Sequence, residues 1–338
     1  MKKSFWSFIV VILVVGGYFF IGEEFNFTSN AIVDSFVSDT GEIELYFCPH
    51  QDCVTPLVDL LDSAEESIHC AFFEVDLDRV RDKLLERSEE IEVQVVTDNG
   101  YLYEFNHSFV KTDTWGLMHN KFCIVDGKKI SSGSMNPTNN GADKNNNNLI
   151  LIASSVLATN YEAEFSEMWD GTYKKGSPVS NPNVILEDTE IQNYFCPEDS
   201  CAERIKNELE KATTSIKFMT FSFTHEGIAN ILLLKHSEGI LVEGVMEARQ
   251  VTKYSQFERL SYQDIDVVKD GNKQNMHHKT WLIDTLSPDC TIITGSMNPS
   301  AGGDTRNDEN ILIIKNDQEL CKLFLEEYDR VRAEADNK

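Results

Sequence analysis

Basic residues are scarce in this chain: 30 lysines and arginines stand against 56 aspartates and glutamates, a formal charge of -26. That balance speaks against a surface coated with cations for a nucleic-acid backbone. Low-complexity sequence is nearly lacking too, confined to residues 145–148, so disorder is not the general reading. Metal-ligand spacings are missing around the polar motifs described below, and no cofactor is implied. Apolar residues, in contrast, make up 41% of the 338, enough for a sizeable core in two ordinary domains or one large one.

The longest apolar run is at the start. Residues 5–22 carry no charge, follow Lys2 and Lys3, and precede Glu23 and Glu24. Eighteen such residues suffice to cross a bilayer as a helix. A secretory signal begins in the same way, but no small-x-small cleavage site follows and the run is long for a signal core. The expectation is one retained transmembrane anchor over residues 1–24, with the lysines in the cytoplasm and the remainder outside. If the segment is cleaved, the remainder is secreted.

Cysteines would then meet an oxidising space. Cys48 with Cys53 and Cys196 with Cys201 occupy matching short loops, and a disulfide within each is the simplest reading. The alternative is one four-cysteine zinc site, although four intervening residues is wide for a zinc pair and only His50 accompanies them. Cys70, Cys123, Cys290 and Cys321 lie in or beside apolar stretches and are expected to be buried thiols.

The chain repeats itself. "YFCP" at Tyr46 recurs at Tyr194, "SAEESIHCAFFEV" from Ser63 resembles "KATTSIKFMTFSF" from Lys211, and "HNKFCIVD" recurs as "HHKTWLID". "GSMNPT" recurs as "GSMNPS", and each glycine stands fifteen residues before an asparagine, Gly133 before Asn148 and Gly295 before Asn310. Short apolar strands alternate with helical patterns in both copies, such as a strand over 91–97 and a helix over about 155–170. The fold class is therefore α/β: two sandwich repeats with mixed sheets, over 31–175 and 184–336, joined by a Gly-, Pro- and Ser-rich segment at 171–183. Packing them about a pseudo-twofold axis would bring equivalent residues together at the centre.

What the repeat duplicates is polar. His119 and His277 each precede a lysine by two residues, Lys121 and Lys279, so histidine and lysine share a strand face. Asp126 and Asp284 follow five residues later, across the apolar stretches "FCIV" and "TWLI". A lone strand histidine is more often structural, Asp126-Gly127 alone is a hairpin signal, and Gly-Ser-x-Asn alone is a loop. Packing does not require the same polar set twice, in the same order.

These residues resemble the phospholipase D superfamily, whose HxKxxxxD motif is followed by GSxN. The first copy fits with His119, Lys121, Asp126, Gly133, Ser134 and Asn136. The second, His277, Lys279, Asp284, Gly295, Ser296 and Asn298, has ten residues rather than six between its aspartate and glycine. The resemblance spans about 43–334. It implies metal-independent phosphodiester chemistry, in which one imidazole attacks phosphorus and the other protonates the leaving oxygen and later activates water. By similarity His119 is the nucleophile and His277 the acid, with Lys121, Lys279, Asn136 and Asn298 on the phosphoryl oxygens and Ser134 and Ser296 behind them. Glu309 stands where a carboxylate orients a histidine, whereas the matching position in the first half is Asn147, an asymmetry that would split the two histidine pKa values.

The implied partners are a phosphodiester substrate and, through the anchor, a membrane. No protein partner is inferable, and a monomer is the simplest expectation. Residues 107–130 and 249–279 each sum to +2, which would make a mildly positive mouth in an acidic body. A phospholipid head group is the favoured substrate. A nuclease is the runner-up, with Tyr101, Tyr103, Phe105 or Trp115 stacking bases. A phosphatidyltransferase uses the same groups, and a scaffold that has lost the reaction is the non-enzymatic reading.

Overall fold

The apolar runs between each lysine and aspartate become central strands. In the computed structural model, which describes residues 36–336, Lys121–Val125 and Lys279–Ile283 are buried along their whole length, as a sheet covered on both faces demands. The first sheet has seven strands in the order Ile43–Cys48, Asn147–Ala153, Lys129–Gly133, Lys121–Val125, Ser67–Phe72, Glu92–Thr97 and Val110–Thr112. The second repeats this order with Thr189–Cys196, Asn307–Lys315, Thr291–Gly295, Lys279–Ile283, Ser215–Thr220, Leu241–Met246 and Asp266–Lys269. Both sheets are mixed: Ser67–Phe72 runs parallel to Glu92–Thr97 and antiparallel to Lys121–Val125, and the second sheet does the same.

The sheets do not respect the sequence boundary between the repeats. Val37–Asp39, expected in the first repeat, instead pairs through Asn183–Leu186 with the second sheet, extending an edge that would otherwise end one strand earlier. Leu117–Met118 of the first repeat pairs with Asn307 and Asp308 of the second, and Asn146 bridges to Met276. A shared core joins Phe47, Phe122 and Tyr161 of the first repeat to Phe195, Phe324 and Tyr328 of the second. Each repeat also has a separate core, where Leu57, Leu61, Val80 and Leu84 pack in the first and Ile205, Leu209, Ile228 and Leu232 in the second.

All eight cysteines are paired. Cys48–Cys53 and Cys196–Cys201 close the matching loops as expected, which leaves no thiolate for a zinc site. The expected thiols also form disulfides, Cys70–Cys123 and Cys290–Cys321. Cys70 and Cys123 are register partners on neighbouring strands with Cα atoms 4.0 Å apart, an adjacency that no local reading of the apolar stretches supplies. The anchor read over residues 1–24 lies outside the described residues, and among those described no helix is long and apolar enough to cross a membrane.

Candidate active site

Each of the two central strands that begin at Lys121 and Lys279 is entered through a segment held by the opposite repeat. The His119 N–H donates to the Asp308 carbonyl and the His277 N–H to the Asn146 carbonyl, both at 2.9 Å. The lysines then fold back on their own histidines: Lys121 Nζ donates to the His119 carbonyl at 2.5 Å and Lys279 Nζ to that of His277 at 2.7 Å. Phe73 lies edge-on to the His119 ring and Phe221 to the His277 ring, each with centroids 4.7 Å apart. Both histidines, Asn136 and Asn298 line one cleft of about 690 Å³. The pseudo-twofold expectation of one shared cleft is met.

The Gly-Ser-x-Asn segments explain their own composition. Gly133 and Gly295 have φ of +123° and +145°, and a Cβ on either would meet the Asn148 or Asn310 carbonyl at 2.5 or 2.3 Å. This approach lets the Ser134 and Ser296 N–H groups donate to those carbonyls. The two hydroxyls do not line the cleft. Ser134 Oγ donates to Asn147 Oδ1 at 3.0 Å, and Ser296 hydrogen-bonds Glu309. They hold the groups that hold the histidines.

Those groups cross between repeats. His119 Nδ1 donates to Glu309 Oε2 at 2.7 Å, and His277 Nδ1 donates to Asn147 Oδ1 at 3.0 Å. Glu309 is therefore a histidine's partner. Fixing Nδ1 as the donor leaves Nε2 of each ring as the nitrogen available for chemistry. Residues 145–148, a low-complexity tract by composition, form much of this interface: Asn148 Nδ2 also reaches His278 Nδ1 and Thr294 Oγ1 of the second repeat.

Burial, then the two ammonium groups, push both imidazoles well below their ordinary pKa. Burial also brings Lys121 down to about 8 and Lys279 well down, and lifts the Glu309 carboxyl to about 7 against the pull of the lysines. The same burial thus disfavours the charged form of the histidines and of the lysines beside them, while Glu309 favours the charged form of both ammonium groups.

Asp126 and Asp284, expected with the catalytic histidines and lysines from their place in the motif, stand apart from the cleft. Five residues of extended strand carry them to the far end, roughly 16 Å away, and neither lines the cleft. Each sits at positive φ in a turn, a conformation aspartate tolerates. Asp126 accepts N–H groups of Glu65, Glu66 and Ser67; Asp284 accepts those of Thr213, Thr214 and Ser215 plus two threonine hydroxyls. Burial works to raise Asp284, but these donors prevail and take it to about 2. Of the positive stretches, Lys128 and Lys129 fall at this far turn; Arg306, an exposed cation that lines the cleft, belongs to neither stretch. Of the four aromatics considered for stacking, Trp115 lines the cleft, Tyr101 packs against Phe73, Tyr103 is exposed and Phe105 is buried core.

Two features escaped the sequence reading. Glu74 lines the cleft and accepts Asn136 Nδ2 at 2.6 Å; its counterpart in the repeat is Ser222, a mismatch visible between "FFEV" and "TFSF". Lys174, inside the expected linker, is buried between Asp113 and Asp308, the second of which carries the carbonyl that holds His119. No motif marks it.

A duplicated α/β fold that brings two histidines and two asparagines to one cleft, each histidine backed by a lysine, is the arrangement of a phospholipase D-like protein. The chain belongs to the phospholipase D superfamily: the family described as "Cardiolipin synthase, PLD-like domain" matches residues 57–169 and 205–332, and the protein is a phosphodiesterase. It is 30% identical over 144 residues to a phospholipase D of Rickettsia conorii, across 42% of this chain and 70% of that one. It is 30% identical over 139 residues to a mitochondrial cardiolipin hydrolase of Mus musculus, across 41% and 61%. A phosphatidylserine synthase of Haemophilus influenzae shares the fold, with TM-score 0.62 at 13% identity over 86% of this chain and 85% of that one.

Proposed function

We propose that this protein is a membrane-anchored phosphodiesterase that hydrolyses phospholipid head groups through a phosphohistidine on His119. The observation that carries the assignment of roles is the Glu309–His119 contact. A phosphorylated imidazole bears positive charge, which a carboxylate on Nδ1 stabilises and an amide does not. His277, held by Asn147, is the weaker base and the better acid.

A phosphodiester seated between the lysines supplies negative charge, and so raises the proton affinity of His277. His119 Nε2 then attacks phosphorus, the bond to the leaving oxygen breaks, and His277 gives that oxygen its proton. Neutral His277 next takes a proton from water, the hydroxyl attacks phosphorus, and the P–N bond breaks to release the phosphomonoester. Lys121, Lys279 and the two asparagine amides steady the phosphoryl oxygens. Asp126 and Asp284 act on the fold.

The lipid preference is supported by relatives named phospholipase D and cardiolipin hydrolase and by the apolar run near the N-terminus. The test is to assay the protein on phosphatidylcholine and cardiolipin vesicles and on labelled single-stranded DNA. Lipid turnover is the expected result; cleavage of DNA alone would replace this reading with a nuclease, and transfer to added glycerol would make it a transferase.

A further inference from the structure

The two halves of the cleft differ at one charged position. Phe73 and Phe221 are equivalent, since the Phe73 N–H donates to the Asn120 carbonyl and the Phe221 N–H to the His278 carbonyl, each one residue past a cleft histidine. The next residue lines the cleft in both halves, and it is Glu74 in one and Ser222 in the other. Glu74 occupies the donor that Asn136 would give a phosphoryl oxygen, and it interacts with the Lys121 ammonium. Burial raises its carboxyl pKa, while that ammonium and the asparagine amide favour the charged form. Among the described residues that line the cleft no such carboxylate faces the Asn298 side, whose counterpart of Glu74 is the uncharged Ser222.

The geometry points to Glu74 as the residue that sets the charge the cleft accepts, admitting a phosphodiester with one negative charge and expelling the phosphomonoester product with two. This rests on the proposed reading of the cleft as the site of phosphodiester hydrolysis. A diester keeps one charge at any working pH, whereas hydrolysis exposes a second ionisation with a pKa near 6. Two ammonium groups alone would hold the doubly charged product more tightly than the substrate. One carboxylate beside Lys121 lowers the positive charge on that side and opposes the second charge directly, because like charges a few ångströms apart in a partly dry cleft repel strongly. A further carboxylate at Ser222 would weaken the attraction for the substrate as well.

The experiment compares binding of phenyl phosphate and diphenyl phosphate to the full 338-residue chain at pH 8 by calorimetry, in the wild type, Glu74→Gln and Ser222→Glu. Glutamine keeps the acceptor for Asn136 and removes the charge. Glu74→Gln should tighten phenyl phosphate at least about tenfold relative to diphenyl phosphate, and Ser222→Glu should weaken both ligands, phenyl phosphate more. An unchanged ratio of the two dissociation constants in Glu74→Gln overturns the proposal; should that variant fail to fold, an unchanged ratio in Ser222→Glu does so. If His119→Ala still hydrolyses diesters, or neither anion binds the wild type, it is the cleft reading that fails, and the role of Glu74 falls with it.

Discussion

The first repeat receives a carboxylate from the second, and the second receives only an amide in return: Glu309 holds His119, and Asn147 holds His277. Around this exchange the halves are close copies, down to the folded-back lysines, the edge-on phenylalanines and the glycines pressed against an asparagine carbonyl. A fold built by duplication supplies two equal imidazoles, and an in-line displacement needs two unequal ones. At the site the halves differ at residues 147 and 309 beside the histidines and at 74 and 222 in the cleft wall, and on the proposed mechanism this is what divides the roles.

The sharpest way to break the comparison is to remove a histidine. His119→Ala should lower kcat roughly 10⁴- to 10⁶-fold in an initial-rate assay on a small diester, and His277→Ala should do so too unless the leaving group is a good one such as p-nitrophenolate, which does not need an acid. Removing the asymmetry itself is next. Glu309→Gln should cost about 10²-fold or more and, by making His119 less basic, move the acid limb of kcat/KM to lower pH. Asn147→Asp should raise the pKa of His277 and move the alkaline limb to higher pH. A pH-rate profile unmoved by either change would contradict the division of labour. Proton bookkeeping gives a third check: diester binding near pH 7 should draw a proton onto the cleft, read as a dependence of calorimetric heat on the buffer's ionisation enthalpy.

The aspartates test whether the motif is one functional unit. Asp284→Asn should lower stability by about 2–4 kcal/mol in denaturant unfolding while the folded fraction keeps most of its activity, and Asp126→Asn, with fewer donors to lose, should cost less. Asp284 has a native pKa of about 2, below the unfolded value near 3.9. Its contribution is therefore complete above about pH 4 and disappears as the pH falls toward 2. The smallest effects belong to the short disulfides: breaking Cys48–Cys53 or Cys196–Cys201, each five residues apart, should destabilise less than breaking Cys70–Cys123 or Cys290–Cys321, 53 and 31 apart, because the longer loops constrain the unfolded chain more.

Much of this was legible along the chain because duplication prints the site twice. The mixed sheets, the closing helix at Ser155–Trp169, the short disulfides and the convergence of His119, Lys121, His277 and Lys279 all follow from local pattern plus one symmetry argument. The spacing of five between lysine and aspartate already carried the rise of a strand, and taken literally it removes Asp126 and Asp284 from the cleft. What was hidden depends on which strands become neighbours. Cys70 meets Cys123, Glu309 crosses to His119, and Asn148 reaches His278 only because of the sheet order and the pairing of the repeats. Burial of residues 145–148 was hidden for a related reason, since an asparagine run looks solvated until its partners in the other repeat are known.

The central claim is that His119 and His277 act on one phosphorus atom from opposite sides, with His119 taking the covalent bond. The most direct test is to mix His277→Ala with a ³²P-labelled p-nitrophenyl diester, quench, and map the label by mass spectrometry under conditions that preserve phosphoramidates. The account predicts one labelled site, His119, and none in the His119→Ala, His277→Ala double variant. Label on any other residue, or full turnover without an adduct, would contradict it.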